Sequence, residues 1–124
     1  PALAARQAGG LAEPGVGPDA AELGAVLARV ACEVDRATRL HGRTCPGGMG
    51  VTGTAEDRRV LAGARQAKQE AIEEGVVSFR HVLEEEIAEV WAEPAGSAEQ
   101  EIEAVQSQAV LARLVLSVRE ARRA

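Results

Sequence analysis

The sequence predicts an all-α fold, an antiparallel four-helix bundle, on three observations. Four segments carry apolar residues at helical spacing, bounded by glycine, proline or a capping serine, threonine or aspartate. Nearly half of the 124 residues are hydrophobic, yet alanine and valine dominate and only 2% are aromatic. That composition suits closely packed helices, and no strand signal is present.

A chain of this length buries one thin core, and association with a second copy would thicken it. The net charge of −5 argues against a nucleic-acid backbone or an anionic membrane as main partner. No apolar run approaches the roughly 20 residues that span a bilayer. Without a signal-peptide pattern, a cytoplasmic location is expected. Residues 1–18 are alanine, glycine and proline without a period, so a flexible arm is expected before a single helical domain at 19–124.

The first helix is expected after Pro18, with Asp19 as N-cap and Glu22 at N3. Leu23, Val26, Leu27, Val30, Val34 and Ala37 form its apolar stripe, and Gly42 stops it. Its other face carries Arg29, Arg36 and Arg39, either plain solvated positions or a basic edge for phosphates. Cys32 reads as a small buried hydrophobe and Cys45 as a free thiol. With His41 and His81 they match no standard zinc spacing. The segment 42–53 holds five glycines but no Lys-Ser/Thr after them, so it is a connection or a lid and no Walker loop.

Thr54 with Asp57 opens the second helix and Gly75 closes it. Its stripe is Val60, Leu61, Ala64, Ala67, Ala71 and Ile72, with Arg58, Arg59, Arg65 and Lys68 expected in solvent.

The third helix, from Ser78 to Pro94 and Gly96, holds the anomaly. On a wheel of about 100° per residue Phe79, Leu83, Ile87 and Val90 share an arc, and Glu86 falls inside it. Glu89 lies at the edge; Glu84 and Glu85 point away. A carboxylate on a core-facing stripe is costly unless it is paired, coordinated or protonated. The fourth helix repeats the pattern. Ser97 and Gln100 read as a capping box, Glu103 aligns with Val110 and Leu114, and Gln106 follows one turn later. Facing carboxylates repel unless a cation lies between them. The pattern points to an oxygen-lined Mg²⁺ or Mn²⁺ site, against the alternative of a glutamate-rich solvated face. Farther on, Ala109–Val118 is apolar almost all round and should be contacted on several sides. Arg113 there either holds phosphate oxygens or pairs with a glutamate.

Glu85-Glu86-x-x-Glu89, thirteen residues, then Glu103-x-x-Gln106 resembles the signature EExxE…ExxD of the MazG-like all-α nucleoside triphosphate pyrophosphohydrolases. Arg80-His81-Val82-Leu83 before the motif and Glu103-Ala104-Val105-Gln106 within it are similar to a small actinobacterial and actinophage branch. The resemblance covers roughly residues 25–123. Gln106 departs from the pattern, standing where the wider family has aspartate.

The resemblance implies the all-α pyrophosphatase bundle, a homodimer or dimer of dimers, and Mg²⁺-dependent hydrolysis of a nucleotide to monophosphate and pyrophosphate. Under it Glu86, Glu89 and Glu103 are metal ligands with Gln106 a weaker partner. Glu85 and Glu86 carry the catalysis, and Arg113 meets substrate phosphate. A non-catalytic helical nucleotide-binding module is the alternative that Gln106 raises. A di-iron carboxylate bundle ranks last, because no Glu-x-x-His pair is present.

Overall fold

The computed structural model describes residues 20–124, which form four α-helices: α1 (Ala20–His41), α2 (Ala55–Glu73), α3 (Phe79–Ala92) and α4 (Ala98–Arg123). No strand occurs among the described residues. The expected Asp19 cap and the 1–18 arm lie outside them. No described helix is long and apolar enough to cross a membrane.

The helix limits follow the expected signals. Thr54 Oγ1 accepts from the Asp57 amide at 3.0 Å, and the Thr54 amide donates to the Asp57 carboxylate at 3.1 Å. The Thr54 amide, and the Thr54 hydroxyl donating to the same carboxylate at 2.8 Å, hold the Asp57 carboxyl below its ordinary pKa. At the other end Gly75 takes φ +74°, where a side chain is strained, and lets the Val76 amide reach back to the Ala71 carbonyl. Ser78 begins α3 with the Nδ1 of His81 accepting from its amide at 3.2 Å.

Gln100 differs from the expected capping box. Ser97 Oγ accepts from the Gln100 amide as predicted, but the Gln100 side chain reaches past the cap. Its Oε1 accepts from the Gly96 amide at 2.9 Å and its Nε2 donates to the Val90 carbonyl at 3.1 Å. A buried amide satisfied at both ends therefore staples the turn between α3 and α4. The glycine-rich connection closes on the same corner. Thr52 Oγ1 donates to the Glu93 carbonyl and the Gly53 amide to the Trp91 carbonyl. Gly53 has φ +74°, and a Cβ there would stand 3.3 Å from the Pro94 backbone, so this contact requires glycine.

Packing is layered: α3 lies between α2 and α4, while α1 meets α4 alone. Leu61 and Ala71 of α2, Ala88 and Val90 of α3 and Val110 of α4 are buried. Val26 is the buried residue of α1, and Arg123 ties the end of α4 to Glu22 at 2.6 Å. This corrects three expectations. Cys32 is exposed, because most of α1 has no neighbour within the chain. Ala109–Val118 is covered on two sides only, with Leu111 and Val118 exposed. Ile87, placed on the core arc, is 38% exposed.

Candidate metal centre

The buried arc of α3 is rotated from the predicted one. Its members are Glu85, Glu86, Ala88 and Val90. Compared with the predicted arc, the inward sector is turned by about a quarter turn and brings Glu85 against Lys68 of α2. Glu85, expected to point away, is only 6% exposed. Glu84 stays in solvent as expected.

Opposite Glu85 stands Lys68, another correction. It was expected on the solvated face of α2, yet it is 5% exposed. Its Nζ lies 2.5 Å from Glu85 Oε1, a buried charge-assisted pair. Lys68 lies one face-repeat (seven residues) after Leu61 and three before Ala71, inside the stripe α2 buries. The test that singles out Glu86, a charge within an apolar arc, singles out Lys68 equally.

Glu85, Glu86 and Glu89 each place a carboxylate oxygen within 4.8 Å of the others. Glu103 reaches in from α4, close enough to Glu89 for a proton shared between the two carboxyls to raise the pKa of Glu89. Two oxygens in this cluster, Glu86 Oε2 and Glu103 Oε2, are buried without a hydrogen-bond partner. Glu86 itself is 2% exposed. Burial raises its pKa, the charges of Glu103 and Glu85 push it further up, and Lys68 works against them. Glu89 is pushed up to about 8, first by burial, then by the bond with Glu103 and the charges of Glu86, Glu103 and Glu85. The Arg65 guanidinium sits at the rim, 4.0 Å from Glu89.

The remaining predicted site residues are placed differently. Gln106 is half-buried, and its side chain makes no hydrogen bond to the cluster among the described residues. Arg113 does not pair with a described glutamate; its guanidinium lies over the Phe79 ring, 5.7 Å from the centroid. Arg36 and Arg39 of α1 form exposed pairs with Glu33 and Asp35.

The donor set suits a hard divalent cation. It offers oxygens only, from two helices, and two of those oxygens have nothing else to bind. His81 is engaged at the start of α3, and both cysteines are exposed and outside the cluster. Compared with known families, curated proteins and solved structures, the chain matches none.

Proposed function

We propose that the chain is a Mg²⁺- or Mn²⁺-dependent nucleoside triphosphate pyrophosphohydrolase of the MazG-like all-α type, acting in the cytoplasm as an antiparallel four-helix bundle. The observation that carries this reading is the convergence of Glu85, Glu86, Glu89 and Glu103 with two buried carboxylate oxygens left unpartnered. Carboxylates gathered at this burial need a counter-charge, and one lysine supplies only part of it.

Glu86, Glu89 and Glu103 are the residues to hold the cation. The chemistry such a cation supplies when bound is neutralisation of phosphate charge and a water acidified toward neutral pH. Glu85, fixed by Lys68 and beside Glu86 and Glu89, is placed to orient the attacking water. The Arg113 guanidinium, stacked but not paired with an acid, offers N–H groups to phosphate oxygens. Gln106 can add an amide oxygen at the edge.

The second reading, a nucleotide-binding module without turnover, rests on Gln106, a neutral side chain where the resembled signature has a carboxylate. One experiment separates the two. Incubation with a panel of canonical and modified nucleoside triphosphates and Mg²⁺ should release pyrophosphate and no orthophosphate. Release of neither by wild-type protein, with pyrophosphate release gained by Gln106→Asp, would establish the module instead.

The assembly we propose is a homodimer, or a dimer of dimers, built on α1. This 22-residue helix buries Val26 and leaves Leu27, Val30 and Val34 exposed, with Val30 and Val34 along an open groove that also includes Ala37 and Val115. Most helix stability comes from packing an apolar face, and α1 lacks most of that packing within one chain. A second copy presenting the same stripe satisfies both at once. Light scattering at micromolar concentration should give twice or four times the chain mass; a clean monomer mass overturns the assembly.

A further inference from the structure

The position of Lys68 says how many cations the carboxylate cluster can take. Two-metal hydrolytic sites place their ions about 3.5–4 Å apart, bridged by shared carboxylate oxygens. Glu85, Glu86 and Glu89 lie within 4.8 Å of one another, and of the three Glu85 is the one an ammonium already holds. One of its oxygens is held 2.5 Å from the Lys68 ammonium, and both side chains are more than nine-tenths buried. The unpartnered oxygens lie elsewhere, on Glu86 and Glu103.

We infer that Lys68 stands as a fixed monovalent cation in the place of a second metal ion, so that each chain binds a single divalent cation. The inference rests on the reading of the cluster as a metal centre and adds its stoichiometry. Charge agrees with it. Four carboxylates, one ammonium and one divalent ion leave a single negative charge, and the Arg65 guanidinium 4.0 Å from Glu89 offsets it at the rim. A second divalent ion would share Glu85 with an ammonium that has no water to screen it. Lys68 lies on the buried stripe of α2, between Leu61 and Ala71.

The test counts ions directly. Full-length protein is equilibrated with Mn²⁺ and the bound metal measured by dialysis and elemental analysis, with electron paramagnetic resonance reporting spin coupling between neighbouring ions. Wild type should hold one uncoupled Mn²⁺ per chain at saturation, and Lys68→Arg should do the same. Lys68→Met frees Glu85 and should hold two, with an exchange-coupled spectrum. Lys68→Met with Glu85→Gln, which removes both members of the pair, should return to one. Two ions per wild-type chain overturn the inference while leaving the metal centre standing. So does a folded Lys68→Met protein that still holds one. No Mn²⁺ bound by wild type or by any variant overturns the metal centre itself. Should Lys68→Met fail to fold, the wild-type count and the double variant decide.

Discussion

Glu86→Gln is expected to abolish pyrophosphate release while making the metal-free protein more stable. The two effects have one cause. Glu86 is 2% exposed, its Oε2 has no partner, and the charges of Glu103 and Glu85 bear on it. Replacing the carboxylate with an amide of the same shape removes a buried charge and adds a donor beside like-charged neighbours. Stability at neutral pH should rise by about 1–2 kcal/mol, or roughly 5–10 °C for a domain of this size. The cation loses a charged ligand, and a few kcal/mol of lost charge stabilisation corresponds to about a 10³-fold fall in turnover. Thermal melts and pyrophosphate release measured on the same preparation check both halves. A variant less stable than wild type in chelator would show that Glu86 serves the fold and holds no site.

The helix limits were legible because they depend on local chemistry. Thr54 with Asp57, Gly75, Ser78 and Ser97 each act within one turn of their own position, and each is found where spacing placed it. Glu86 was legible for another reason: a charge inside an apolar arc has to be explained by something nearby. What escaped was the rotation of α3. Wheel reading follows large side chains, and Phe79, Leu83 and Ile87 drew the arc toward themselves. The true sector includes Ala88, which is buried but contributes little to a hydrophobic wheel. With that sector turned, Glu85 enters the core and needs Lys68.

Lys68 was less legible, because lysine is almost never fully buried unless an acid pairs with it. The stripe Leu61, Lys68, Ala71 carried the same warning as Glu86, but a lysine among alanines looks like a snorkelling side chain until an acid is known to face it. Gln100 was half legible. Its amide nitrogen obeys the cap, while its side chain serves Gly96 and Val90 across the turn, a tertiary use that no local motif encodes.

Metal-free protein is expected to lose stability as pH rises from about 5 to 8, the reverse of the usual behaviour of paired carboxylates, and divalent cations should cancel the loss. Glu89 has an ordinary value of 4.5 and is pushed up to about 8 in the folded chain, chiefly by burial and then by its bond with Glu103. Glu86 is raised as well. Below about pH 4.5 both groups are protonated whether the chain is folded or not, and their contribution to stability is fully present. Between that value and about 8 the folded state keeps a proton that the unfolded state has released. Unfolding free energy therefore falls with rising pH, and the contribution is gone once pH passes the folded value. The move of Glu89 from 4.5 to about 8 alone corresponds to about 5 kcal/mol, a fall of roughly 15–25 °C in melting temperature. A cation needs the deprotonated carboxylates, so its binding strengthens over the same interval. At 100 times its dissociation constant it adds about 2.7 kcal/mol and at 1,000 times about 4.1, enough to offset from half to most of the decline. Melts in chelator and in millimolar Mn²⁺ at pH 5, 6.5 and 8 give the answer. Equal slopes with and without metal would mean that the cluster binds no cation. A melting temperature in chelator that climbs toward pH 8 would mean that Glu86 and Glu89 are not buried together.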